Sequence, residues 1–173
     1  MLPSHWTYQD LDNLVRMEIP VAGTDFRGIQ GHSGYLLRQA WYAFSTAMEN
    51  ALRQHGLTGA QYAVLSVLAR RPGLSGADLA RACNTTPQAM NGVLATLDRE
   101  RLVGRTAHPT HGRILQVNLT AAGRRRLDRA TPAVRALEGT VEAELSSEQL
   151  VVVKGWLVTV AQRLDRTGGA FPP

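Results

Sequence analysis

Three short apolar stripes, each introduced by a helix-capping residue and parted from the next by a brief turn, constrain this chain most tightly. Thr58-Gly59-Ala60-Gln61 has the form of a capping box, with Thr58 as N-cap and Gln61 reaching back to it. Tyr62, Leu65 and Leu68 mark the core face of that helix, and Pro72-Gly73 stops it. Ser75 caps a second helix with Leu79 as its buried residue, ending near Cys83-Asn84. Thr86-Pro87 opens a third by pairing an N-cap Thr with Pro at the first helical position, and Met90, Val93, Leu94 and Leu97 form its stripe. After Arg101-Leu102 the period changes. Residues 103–107 and 114–119 read as strands around the turn-rich His108-Pro109-Thr110-His111-Gly112. Helix, turn, helix and then hairpin make a winged helix-turn-helix.

Longer helices flank this unit. Leu37, Ala40, Trp41, Phe44, Ala47, Met48, Ala51 and Leu52 recur at three- and four-residue spacings, and Gly56 ends the run. Thr120 caps a helix carrying Leu127, Val134, Leu137, Val141 and Leu145 on one side. Ser146-Ser147-Glu148-Gln149 is a further capping box, opening a last helix with Leu150, Val153, Leu157, Val160 and Leu164. An apolar seam on terminal helices needs a partner surface. The predicted fold is mainly α with a small β-hairpin wing: a winged helix-turn-helix DNA-binding lobe plus N- and C-terminal dimerisation helices. Its parts are an N-terminal extension over 1–32, a dimerisation helix over 33–56, the DNA-binding domain over 57–119, dimerisation helices over 120–167 and a tail over 168–173.

The net charge of +5 is unevenly spread. Residues 58–130 carry eleven Arg against four acids, a net +7, whereas residues 1–57 and 131–173 each come to −1. Positive charge concentrated between neutral flanks is the footprint of a polyanion-binding module; a merely solvated basic surface is the alternative that charge alone does not exclude. No apolar run reaches the ~20 residues of a membrane span, and the N-terminus lacks the pattern of a secretory signal. Cys83 is the only cysteine, so no internal disulfide forms, which fits a reducing cytoplasm.

From Leu57 to Leu119 the chain resembles the MarR family of transcriptional regulators. The matching phrases are Leu57-Thr58 with Gln61-Tyr62-Ala63-Val64-Leu65, Gly73-Leu74-Ser75 with Asp78-Leu79-Ala80, and Leu97-Asp98-Arg99 with Leu102-Val103. The wing closes on Leu119-Thr120-Ala121-Ala122-Gly123, which is similar to the family's Leu-Thr-x-x-Gly entry into its first C-terminal dimerisation helix. With the flanking helices, the resemblance covers about residues 33 to 165. One departure stands out: where the family's wing tip carries Asp-x-Arg, this chain has His111-Gly112-Arg113. The arginine is kept, but no carboxylate clamps it.

In a helix-turn-helix the second helix enters the major groove. With its apolar stripe turned inward, that helix presents Gln88, Ala89, Asn91, Gly92 and Thr96. Gln88 and Asn91 are expected to read bases, since Gln and Asn bond adenine in bidentate fashion, and Ala89 suits a thymine methyl. Contact with phosphate alone is the other reading of each. Gly92 weakens a helix interior by roughly 1 kcal/mol, which points to close approach of the DNA backbone or to a packing contact. Thr86 and the amides beside it suit a phosphate, and Ser75 is placed likewise one helix earlier. Arg113, with His111 beside it, is assigned to the minor groove and Arg105 to the neighbouring backbone. Two modules on a two-fold axis read a pseudo-palindromic operator with half-sites ~34 Å apart, so the partners expected are double-stranded DNA and a second copy.

The resemblance also implies repression relieved by a small aromatic or phenolic effector bound between the dimer helices and the DNA lobe. Arg27, His32, Tyr35, Arg38 and Trp41 are its candidates here; a core role for the aromatics and a solvated one for the arginines is the alternative. No cofactor or metal is expected: His108-x-x-His111 lacks further ligands, and Cys83 is placed as a small core residue rather than an oxidant sensor. No nucleophile elbow, Ser/His/Asp order or phosphate-cradling loop suggests an enzyme. The remaining alternatives are a winged helix used for protein–protein contact, which steeply salt-dependent binding to a promoter fragment would exclude, and a redox- or metal-responsive regulator.

Overall fold

The computed structural model describes residues 20–107 and 115–166, with side chains to Leu164. Among these residues a 3₁₀ turn at Asp25–Arg27 precedes six helices, α1 (Ser33–Arg53), α2 (Gly59–Arg70), α3 (Gly76–Ala82), α4 (Pro87–Arg99), α5 (Ala121–Glu142) and α6 (Ser147–Arg166), with strands β1 (Leu74–Ser75), β2 (Val103–Ala107) and β3 (Leu115–Leu119) among them. The chain divides into two compact units, residues 1–46 and 47–173. Tyr8–Met17, where the sequence suggests a short helix, lies outside the described residues.

The caps form as their chemistry dictates. Thr58 Oγ1 accepts from Gln61 N at 3.2 Å while Gln61 Oε1 accepts from Thr58 N at 2.9 Å. That reciprocal pairing satisfies Gln61, the polar residue buried in this core. Thr86 Oγ1 accepts from Ala89 N and Thr120 Oγ1 from Gly123 N. Ser146 and Gln149 close the same reciprocal pair at the head of α6.

The core of residues 47–173 draws on every element of the winged helix. Leu52, Leu65, Leu68, Leu79, Met90, Leu94, Leu97 and Val117 are fully buried, each Leu stabilising the fold by roughly 1.5–3 kcal/mol relative to exposure. β2 and β3 pair antiparallel from Val103↔Leu119 to Ala107↔Leu115, the hairpin expected. A third strand joins them: β1 pairs Leu74↔Val117 and Ser75↔Gln116, giving the order β1-β3-β2. Two residues carry no alternation of their own, so their pairing is invisible locally.

The core also crosses the boundary expected at 119/120. Leu127, Ala130 and Val134 of α5 are buried in it, whereas Val141 further along is 56% exposed. Leu127 and Val134 therefore serve the lobe's own core rather than an interface. Pro132 lies within the buried stretch, two residues before Val134, and Thr131 Oγ1 donates to the Leu127 carbonyl at 2.9 Å. Gly123 explains the Thr-x-x-Gly phrase. A Cβ there would stand 2.0 Å from the Leu102 carbonyl oxygen, so only glycine lets α5 start against the backbone after α4. On α6, Val151, Val152, Trp156 and Val158 are exposed. Among the described residues no helix is long and apolar enough to cross a membrane.

Candidate nucleic-acid interface

α4 is built to show one face. Its inner stripe, Met90, Leu94 and Leu97, is 1%, 2% and 0% exposed, and Val93 packs half-buried against the same core. Helical geometry then turns Gln88, Ala89, Asn91 and Gly92 outward, and all four are exposed. Thr96 is half-buried, its hydroxyl accepting from Arg99 Nη2 at 3.4 Å. α3 crosses α4 closely at Gly76, where a Cβ would lie 3.4 Å from Leu94 Cδ1 and 3.9 Å from Asn91 Oδ1. Asn91 thus stands beside the start of α3. At Gly92 a Cβ would meet nothing within 4 Å among the described residues, so packing within the chain does not account for that glycine.

Thr86 holds the head of α4, with Pro87 at the first helical position. The turn before it is shaped by Asn84, whose φ of 50° is a left-handed conformation that Asn tolerates better than most residues. Ser75, expected to offer its hydroxyl to a phosphate, is committed elsewhere. Its Oγ donates to Asp78 Oδ2 at 2.6 Å and accepts from Asp78 N at 3.2 Å. The Ser75 hydroxyl and amide, with Arg81 adding to them, hold the Asp78 carboxyl below its ordinary value. A carboxylate already occupies that helix start and disfavours a second anion there.

The basic residues fall into different roles. Arg81, which the sequence did not single out, is exposed beside the turn and paired with Asp78 three residues before it; that i,i+3 spacing was its signal. It lines an open groove with Asn84, Thr85 and Thr86, bounded across by Ala161 and Gln162 of α6. Arg105 Nε rests 3.6 Å from Asp98 Oδ2. An exposed pair of this kind contributes at most about 1 kcal/mol and leaves the arginine free to swing to a phosphate. Arg125 and Arg129 are exposed, whereas Arg124 reaches the Ala69 carbonyl at 3.5 Å and Arg126 turns toward the end of α1. Arg113 and His111, with His108, lie outside the described residues. Cys83 is half-buried against the core, and burial pushes its thiol above the ordinary value, away from the reactive thiolate.

The effector candidates belong to residues 1–46. Arg38 Cζ stands 5.5 Å over the Tyr35 ring, and Tyr35 meets Phe26 edge to face at 5.7 Å. Arg27 donates to the Pro20 carbonyl at 2.8 Å and to Gln39 Oε1 at 3.3 Å, while its buried Nε finds no partner among the described residues. Arg27, Tyr35 and Arg38 thus sit within one short stretch with Phe26, which the sequence did not suggest. His32 is exposed and Trp41 is 67% exposed, and among the described residues neither makes a ring contact there.

A family model described as "MarR family" matches residues 55–114. The HTH-type transcriptional repressor Rv2887 of Mycobacterium tuberculosis is 41% identical over 116 residues, covering 67% of this chain and 84% of that protein. A crystal structure of the Mycobacterium tuberculosis MarR family protein Rv2887 in complex with DNA matches with a TM-score of 0.60 at 36% identity, over 75% of this chain and 97% of that one. The same protein in complex with salicylic acid matches with a TM-score of 0.61 at 38% identity, over 76% and 98%.

Proposed function

We propose, from the premise that this chain belongs to the MarR family of transcriptional regulators, that it is a DNA-binding repressor, working as a homodimer on a pseudo-palindromic operator and released by a small aromatic acid. The observation that carries the proposal is the division of α4: a stripe buried to 2% or less behind Gln88 and Asn91, two bidentate-capable amides facing solvent. A helix with that cross-section, fixed by a capped partner helix and a hairpin, is a reading head. Rv2887, a relative 36% identical to this chain in the matched structure, is solved with DNA on the same fold. Thr86, the amides of the first turn of α4, Arg81 and Arg105 supply phosphate contacts, and Arg113 with His111 supplies the wing's share. The work is binding, not catalysis.

Dimerisation follows from the lobe's size and from α6. One lobe spans only a few base pairs, and Val151, Val152, Trp156 and Val158 in exposed positions need a cover, for which a second copy is the natural occupant. The effector reading rests on the salicylic acid complex of Rv2887 and on the local chemistry of Tyr35 and Arg38. A guanidinium stacked on a phenol ring can trade that ring for an aromatic carboxylate, pairing its charge while the rings stack. Release then requires the acid to prefer the conformation that does not fit DNA.

The decisive experiment titrates the purified full chain into a labelled fragment of its own upstream region and into a scrambled duplex, over a series of salt concentrations. The expected result is two chains per site, preference for the native fragment, a log–log salt slope of about −0.9 per phosphate neutralised, and release with a thermal shift on adding salicylate. A monomer that binds both duplexes equally at low salt refutes the repressor reading; specific binding untouched by aromatic acids refutes only the effector part.

A further inference from the structure

Two helix ends meet at a single guanidinium. Arg126, on the second turn of α5, donates through Nη1 to the Gly56 carbonyl at 3.2 Å and to the His55 carbonyl at 3.5 Å, in the turn that follows α1. The same nitrogen lies 3.8 Å from Glu100 Oε2, and Glu100 is the C-cap of α4. The α1 turn is fitted around this group: Gly56 has a φ of 62°, and a Cβ there would stand 3.0 Å from Arg126 Nη1. A helix C-terminus carries a partial negative charge, so one cation facing two such ends and a carboxylate draws all three together. All three contacts converge on Nη1, so a lysine's ammonium, also a multiple donor but on a different stem, reproduces them only in part.

The remainder of α5's first turns is locked onto the end of α4. Thr120 Oγ1 donates to the Arg101 carbonyl at 2.8 Å, and Gly123 lies against the Leu102 carbonyl with no room for a methyl. α5 and the end of α4 therefore move as one piece, and Arg126 fastens the end of α1 to that piece. Arg126 stands in a run of arginines that reads in sequence as a solvated face, yet its side chain is only 29% accessible.

We propose that Arg126 is a positioning residue for DNA reading: it fixes the pose of α4 against the end of α1, so that discrimination between operator and other duplexes depends on it without its touching DNA. This rests on the repressor reading above. The coupling is carried by one side chain bridging two rigid elements, which places the expected effect of its loss near tenfold in affinity.

The test uses the full-length dimer with R126M, R126K, E100Q and the R126M/E100Q double variant. It measures affinity for the operator fragment and for a random duplex, with salt slopes and melting curves. A wild type that fails to prefer its operator removes the repressor reading itself, and this inference with it. Given that preference, R126M is expected to reduce the operator-to-random ratio about tenfold with an unchanged salt slope, and R126K to restore part of it. E100Q, which keeps the bonds to the α1 turn, is expected to reduce the ratio roughly two- to threefold. The double variant should match R126M, because the carboxylate acts through the guanidinium. An unchanged ratio in R126M, or equal losses on both duplexes with a shallower slope, overturns the proposal, the latter by making Arg126 a plain phosphate contact. Should R126M not fold, an unchanged ratio in E100Q overturns it instead.

Discussion

Gly92→Ala separates what the fold asks of α4 from what DNA asks of it. The added methyl meets no atom within 4 Å among the described residues, so the folded lobe gains what an alanine gives a helix interior over glycine. That is about 0.8–1 kcal/mol. For a chain of 173 residues it amounts to a rise of roughly 2–4 °C in Tm. On DNA the sign reverses. Gly92 lies on the same outward face as Gln88 and Asn91, so a methyl there is expected to hold the helix off the duplex and to stretch the base contacts proposed for them. Forfeiting one bidentate contact costs about 1–3 kcal/mol, or about 5- to 150-fold in operator affinity. The assay pairs thermal melting at fixed protomer concentration, since dimer stability depends on it, with fluorescence anisotropy on the operator fragment. A variant that melts higher yet binds like wild type refutes the idea that the duplex requires this glycine. A variant that melts lower refutes the reading of open space around it.

Gly123→Ala should behave oppositely, destabilising by about 2–4 kcal/mol despite its better helix propensity, because the methyl collides with the Leu102 carbonyl; a Tm equal to wild type would show that α5 can shift freely there. Gln88→Ala and Asn91→Ala should each cost about 1–3 kcal/mol on the operator and little on random duplex, and equal losses on both would reassign them to phosphate. Arg113→Ala should weaken operator binding and flatten the salt slope by about 0.9 for each phosphate left without its cation, whereas an unchanged slope would take the wing out of the interface. Asp78 has a folded-state value depressed below its ordinary 3.8, so its stabilisation is complete above that value and is lost as pH falls below it through the folded value. Asp78→Asn should therefore lower Tm at neutral pH and flatten the acid limb of the Tm–pH curve; parallel curves would deny the carboxylate that role.

What was legible in the sequence was chemistry that acts over three or four residues. Thr58, Ser75, Thr86, Thr120 and Ser146 cap as their spacing foretold, and Met90, Leu94 and Leu97 turn inward as their period requires. β1 was not legible, because its two residues find their partners at Val117 and Gln116, more than forty positions away. Ser75 looked like a phosphate ligand because its hydroxyl is visible in the sequence, whereas the direction in which that hydroxyl donates, to Asp78, is set by the folded turn. Arg126 vanished into an arginine run, since only the folded chain brings the α1 turn and Glu100 to it. The effector candidates show the same limit. Tyr35 and Arg38 meet because they lie three apart on one helix, while Phe26 reaches Tyr35 by a turn that periodicity does not describe.

α5 is a rod with one rung removed. Pro132 has no N–H for the carbonyl of Asp128, so the ladder loses a bond within the stretch whose Leu127, Ala130 and Val134 are buried in the lobe. Ala130 and Val134, buried on either side of the proline, span that gap, so side-chain packing carries across it what the backbone ladder leaves undone.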